Sequence, residues 1–291
     1  MCESISFLSE ARKQYHINLI SKGIFSINDK GCPSNADKEN KDSVNFAKGI
    51  YDRLLIEGQE QIDRLAGQTS GSKFEEVNME FLQLVIPKLE KVRPGFWQIR
   101  KLGNRNKIGI ADFEQYAHLA VLDKLSRDNS EIAASLGNGY LVGPDIIIFR
   151  DPLTDEELNS DGILVDEACA TKTVLRKANK GKQILHASVS SKWTMRSDRA
   201  QNSRTEALNL IRNRKGHLPH IVDITAEPLP SRLASLALGT GDIDCVYHSF
   251  LYELIEVVNE IGSPDSIELL NVMVQGKRLK DITDLPLDLM I

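Results

Sequence analysis

The chain has 291 residues, 41% hydrophobic and 26% charged, with a formal net charge of −5. That length buries a core as one large domain or two ordinary ones, and the net negative charge excludes a generally basic nucleic-acid coat while leaving room for a local basic patch. No apolar run approaches membrane-spanning length and the N-terminal MCESISFLSEARKQYH is too polar for a signal peptide, so no membrane association and a cytoplasmic location are expected.

Residues 1–45 read as a short helix followed by the polar loop GCPSNADKENKDS. A helix is predicted over Val44–Leu55. Phe74, Val77, Phe81, Leu84, Val85 and Leu89 then recur at helical spacing up to the stop signal Arg93-Pro94-Gly95. Trp97–Leu102 fits a strand, and Ala111–Ser135 is mostly helical. In YLVGPDIIIFR, a Gly143-Pro144 turn and Asp145 precede four apolar residues, the pattern of a short buried strand with a carboxylate at its entrance. From Asp145 to Glu167 eight acidic residues face one Arg150, a solvated excursion. ILHASVSSKW is a second strand, followed by a helix from Ser197/Asp198 to about Arg214. HIVDITA is a third strand, Ser231 is positioned to cap another helix, and Cys245–Ile261 reads as helical. Strands alternating with helices imply an α/β fold with a mixed sheet flanked by helices. We expect a single domain over 1–291: a mainly helical part (1–135), a sheet with its following helix (136–226) and a C-terminal helical part (227–291).

Four cysteines, Cys2, Cys32, Cys169 and Cys245, stand far apart with no zinc-ligand spacing, and free thiols are expected. The chemistry concentrates elsewhere. Period two places Ser188, Ser190 and Lys192 on one face of their strand. If the strand behind Asp145 lies beside it, Asp145 and Lys192 come together. Glu206, on the next helix, then adds a second carboxylate. Two carboxylates suit Mg2+, which activates water and neutralises charge growing on a phosphodiester, and a lysine beside it offsets further charge. From Lys192 to Gly216 seven Lys/Arg face two acidic residues, which suits backbone phosphates. Within that stretch Arg196-Ser197-Asp198-Arg199 admits two readings. Arginine reads guanine O6/N7 and aspartate accepts from cytosine N4; equally, Asp198 is a helix cap between surface arginines. His186 reads as a packed strand residue. His217 and His220 fit a helix–strand turn, and GTGDID (239–244) lacks the lysine and context of a phosphate loop, so no nucleotide cofactor is implied.

Pro144-Asp145, Ser190-x-Lys192 and Glu206, in that order, resemble the PD-(D/E)xK nucleases. More narrowly they resemble the type II restriction endonucleases reading CCGG-core sites, in which a serine replaces the strand acid and the next helix supplies the glutamate. The similarity extends through SNAD (34–37), AKGI (47–50), AGQTSG (66–71), QYAHL (115–119), SKWTMRSDRAQN (191–202), NLIRNRKGHLPHIV (209–222), ALGTGDIDCVYH (237–248) and GKRLKDITDLPLDL (276–289), which is the pattern of the tetrameric, type IIF enzymes that cut GCCGGC.

The resemblance implies a restriction-endonuclease-like core, a Mg2+-dependent cut after the first G leaving a four-base 5′ overhang, and a catalytic set of Asp145, Lys192, Glu206 and Ser190 with Asp145 and Glu206 on the metal. It adds Glu75 as a further active-site glutamate. It places Arg196, Asp198 and Arg199 on the CCGG core, Asp37 and Arg232 on the outer G·C pair, and Gln68 in the minor groove. A palindromic double-stranded site requires two-fold symmetry, and the family pattern is a dimer of dimers accompanied in the cell by a methyltransferase. Two alternatives stay open at this point: a structure-specific repair or recombination nuclease of the same fold, and a non-catalytic DNA-binding regulator.

Overall fold

Alternating and buried apolar runs become strands here, and the helices stand where the apolar spacing widens to three and four. The computed structural model describes residues 5–55, 67–102, 109–136, 143–195, 197–239 and 241–291. Along the chain come α1 (Phe7–Ser21), α2 (Lys41–Leu54), α3 (Gly67–Val85), β1 (Gln98–Lys101), α4 (His118–Asp128), α5 (Ser130–Leu136), β2 (Ile146–Arg150) and α6 (Asp155–Leu158). Then follow β3 (Ile184–Lys192), α7 (Ser197–Asn213), β4 (His220–Thr225), α8 (Pro230–Ala237), β5 (Cys245–His248), α9 (Leu251–Ile261), α10 (Pro264–Gln275), β6 (Leu279–Asp281) and α11 (Leu285–Asp288). The six strands are hydrogen-bonded in the order β1-β2-β3-β4-β5-β6. β1 runs antiparallel to β2, while β4, β5 and β6 are parallel neighbours, so the sheet is mixed. None of the described helices is long and apolar enough to cross a membrane.

The chain divides into two compact units. One comprises Met1–Arg93, Val189–Arg204 and Ile221–Ile291; the other comprises Pro94–Ser188 and Thr205–His220. In the first, Phe25, Phe74, Trp193 and Phe250 form an aromatic core, with Phe25 and Phe250 stacked at 4.9 Å and Trp193 edge-on to Phe74 at 5.0 Å. Burying each such ring stabilises the fold by about 1.5–3 kcal/mol. In the second, the fully buried Ile146–Phe149 pack with Phe113, whose ring meets Phe149 at 5.2 Å. There Tyr116 donates to the Leu210 carbonyl of α7 at 3.0 Å.

Two expectations need correction. Cys245–His248 is a strand, and the helix begins only at Leu251. All four strand residues are buried, so nothing in CVYH alternates, and the run continues into the apolar spacing of the helix behind it. With β6, the C-terminal part thus supplies two sheet strands besides its helices. Ser231 does not cap α8: Leu229 is the cap residue and Pro230 opens the first turn, where its missing N–H costs nothing. The acidic excursion is solvated, as expected, and is also tied together internally. The buried Arg176 donates to Asp155 at 2.6 Å and to the carbonyls of Asp166 and Cys169, and α6 starts on a Thr154/Glu157 capping box.

Candidate active site

The second half of β3 is held from both faces by side chains of its own unit. Burial along the strand alternates at its end: Ser190 and Lys192 are half-buried, while Val189, Ser191 and Trp193 are buried. On the buried face Asn78 Nδ2 donates to Ser191 Oγ at 3.1 Å, and Phe74 meets Trp193. α3 therefore crosses this end of β3 in the opposite direction. Glu75 lies in the turn between those two contacts and is half-buried, whereas Glu76 is exposed. On the other face Ser190 Oγ lies 3.5 Å from Ser203 Oγ of α7. The position where an acid would be usual thus carries a small hydroxyl facing another hydroxyl. Glu206 follows Ser203 by three residues, one turn along α7, and is half-buried.

Asp145 stands immediately before β2 in the other unit. Its carbonyl accepts the Leu102 N–H at 3.4 Å, continuing the β1–β2 register by one more step, and Pro144 before it is buried. Elsewhere in that unit, the His186 ring lies 4.5 Å from Trp97 and 5.0 Å from His220, the packed strand role expected of it. His217 is exposed. Asp145 and Glu206 offer oxygen donors only, the donor chemistry of a hard cation that keeps several waters, so these residues fit Mg2+.

A second group of predicted residues gathers around the end of β4. Arg232, in the first turn of α8, forms an ion pair with Asp37. The Asp37 loop is anchored twice: Asn35 Nδ2 donates to the Ala226 carbonyl at 2.8 Å, and the Asp37 N–H donates to Ser43 Oγ at 2.8 Å. Between these lies Glu227, which the sequence reading passed over. It is fully buried. Its Oε2 accepts the Met195 N–H at 2.7 Å and lies 3.9 Å from Arg232 Nη1, while Oε1 accepts the Leu229 N–H at 3.2 Å. Burial pushes this carboxyl up to about 7, against the pull of the Met195 N–H, Arg232 and the Leu229 N–H. The signal in the sequence was slight: one glutamate between an apolar strand and two prolines in TAEPLP.

Arg196 lies outside the described residues. Asp198 and Arg199 fall in the first turn of α7 and Gln68 in the first turn of α3, with their side chains outside the described part. Arg204, counted in the basic run, has another occupation: it pairs with Asp242 at 3.1 Å and donates to the carbonyls of Ser235, Leu236 and Leu238. The basic cluster is smaller than its sequence suggests. Asp244 of GTGDID likewise accepts the Ile221 N–H at 2.8 Å, a structural role.

A sequence profile describing the NgoMIV restriction enzyme matches residues 15–291. The chain is also 50% identical over 283 residues to the type II restriction enzyme NgoMIV of Neisseria gonorrhoeae, an alignment covering 97% of this chain and 98% of that protein.

Proposed function

The chain belongs to the NgoMIV restriction enzyme family, and on that premise we propose that it cuts double-stranded DNA at GCCGGC, after the first G, leaving a four-base 5′ overhang. As a type II restriction enzyme it is a site-specific endonuclease, which answers the repair-nuclease and regulator alternatives. The observation carrying the finer reading is the extent of the match. It runs from residue 15 to the C-terminus and so takes in every residue assigned a role below. In this reading residues 1–291 act as one endonuclease domain.

Asp145 and Glu206 would hold Mg2+, which when bound supplies an activated water and neutralises charge on the scissile phosphate. Lys192 brings an ammonium to offset charge growing on the phosphate oxygens, and needs no reorganisation because it closes a strand held from both faces. Ser190 contributes a neutral hydroxyl, leaving Glu206 as the second acid. Glu75 adds a further carboxylate at that strand end.

Recognition divides between two groups. Asp198 and Arg199, in the first turn of α7, together with Arg196 just before it in sequence, read the CCGG core by donating to guanine and accepting from cytosine. Asp37 and Arg232 read the outer pair. Their mutual ion pair sets an acceptor beside a donor fork, the complement of the edge that a G·C pair turns to the major groove. Gln68 takes a minor-groove contact. Two copies read the two halves of the palindrome, and a dimer of dimers engages two sites.

The test is digestion of plasmids carrying one or two GCCGGC sites with Mg2+, followed by sequencing of the ends. The reading expects cuts at that site alone, faster with two sites. Asp145→Asn is expected to bind and not cut. Cuts at other CCGG-containing sites would leave the catalytic assignment standing and remove Asp37, Arg232 and Gln68 from theirs.

A further inference from the structure

We infer that Glu227 is a positioning residue for sequence recognition, one carboxylate that sets the core-reading segment and the outer-pair-reading arginine in register with each other. The inference rests on the reading above, in which Arg196, Asp198 and Arg199 face the core and Arg232 the outer pair. Its physical basis is one hydrogen bond and one charge approach on a single oxygen. Glu227 Oε2 accepts the N–H of Met195, the residue immediately before Arg196, and the same oxygen lies 3.9 Å from Arg232 Nη1. A shift of either segment is felt by the other through that atom.

The backbone of Glu227 is itself held in place. The Glu227 N–H donates to Thr225 Oγ1 at 3.2 Å, and the Glu227 carbonyl meets His248 Nε2 at 3.0 Å. The tautomer of that histidine follows from its other nitrogen, which accepts the Phe250 N–H at 3.0 Å, so Nε2 carries the proton and donates to Glu227. Burial holds His248 down at about 4, keeping the ring neutral in that tautomer. Leu229, donating to Oε1, is the residue from which α8 and Arg232 start. Asn35 ties the Asp37 loop to Ala226, the residue before Glu227. The backbone N–H groups of Met195 and Leu229 therefore converge on the one buried carboxyl, and the Asn35 side chain ties the Asp37 loop to the residue beside it.

A fully buried carboxyl is retained against a large desolvation cost, and packing does not require it: a Gln or Met of similar volume fills the space. What the ionised carboxylate provides, and Gln or Met does not, is two N–H acceptors together with a charge opposite Arg232. That combination suits a device that orders a reading surface better than one that merely fills a core.

The experiment compares wild type with Glu227→Gln, Arg232→Met and Asp37→Asn, measuring Mg2+-dependent cleavage of duplexes carrying GCCGGC, an outer-pair change (ACCGGT) and a single core change. Each protein's two discrimination ratios are read from competition in one tube, so loss of folded protein does not move them. Glu227→Gln is expected to lower both ratios about tenfold or more while still cutting GCCGGC. Both ratios within twofold of wild type would overturn the inference.

Should Glu227→Gln fail to fold, Arg232→Met, which leaves Glu227 in place, carries the test. The link through Oε2 expects core discrimination to fall at least threefold although Arg232 is assigned to the outer pair, and unchanged core discrimination overturns it. Asp37→Asn separates the inference from its premise. If it leaves outer-pair discrimination unchanged, the outer-pair reading falls by itself. Loss of core discrimination in Glu227→Gln then still supports the tether to Met195, and its retention overturns it.

Discussion

Arg12 and Arg232 are both arginines flanked by two acidic residues, yet they differ in how many of their donors are spent. Arg12 donates twice to Glu253, at 2.8 and 2.7 Å, and to both oxygens of Asp281 through Nε and Nη2. Asp281 is fully buried. Among the described residues Arg232 pairs with Asp37 and approaches Glu227, with its side chain 28% exposed. A guanidinium has five N–H donors. Where they are satisfied by buried carboxylates or carbonyls the arginine holds the fold, and where fewer are spent the proposed base-reading role leaves donors to use. Arg204 and Arg278 belong with Arg12: Arg278 donates to the carbonyls of Ala237, Asp244 and Ile243.

The largest effect that would break this comparison is at Arg12. Arg12→Met leaves two carboxylates buried without their cation, and a loss of about 3–5 kcal/mol is expected, with the discrimination of whatever protein folds unchanged. The pH dependence should invert as well. Burial pushes Glu253 up, but the bonds from Arg12 outweigh it and hold its pKa below the ordinary 4.5. Its contribution is thus present above 4.5 and lost as pH falls through the lower folded value. In Arg12→Met the largest remaining influence on Glu253 is burial, and acidification toward pH 4–5 (about the ordinary carboxylate range) should raise the melting temperature relative to neutral pH. A melting curve series settles both.

Arg204→Ala comes next. It removes an ion pair and three bonds to the end of α8, for an expected loss of about 1.5–3 kcal/mol, again with both discrimination ratios kept. A selective fall in site preference would return Arg204 to the recognition surface. At Arg232 the order of effects reverses. Arg232→Met should cost less stability than Arg12→Met, since its pair with Asp37 is half-exposed and Glu227 keeps two N–H partners, while costing about 1–3 kcal/mol of discrimination at the outer pair. The smallest effect is expected at Arg53, whose bonds to Glu256 and Glu260 join side chains largely open to water. Arg53→Ala should cost about 0.2–1 kcal/mol, and less in high salt.

The same contrast explains what was legible in the sequence. β2, β3 and α7 follow from patterns that are local: a run of apolar residues behind Asp145, the alternation around Ser190 and Lys192, and the spacing after Asp198. β5 and β6 are short and lack alternation, and only their parallel partners make them strands. Asp37 and Arg232 entered as sites through resemblance, because no local pattern marks a loop aspartate and a first-turn arginine 195 residues apart as partners. Whether an arginine's donors are spent is likewise non-local. Arg204 and Asp242 are separated by 38 residues, so Arg204 read as part of a basic patch. Glu227 escaped notice for the opposite reason, since its value lies in backbone N–H groups, which every sequence contains.

The most direct measurement is to digest, with the wild-type protein and Mg2+, a DNA pool in which the CCGG core is fixed and the base pairs on either side are randomised, and to sequence every end. The account predicts ends that lie within GCCGGC, cut after the first G with a four-base 5′ overhang. Ends distributed evenly over all flanking pairs would contradict the outer-pair role of Arg232 and Asp37, and an uncut pool would contradict the GCCGGC assignment itself.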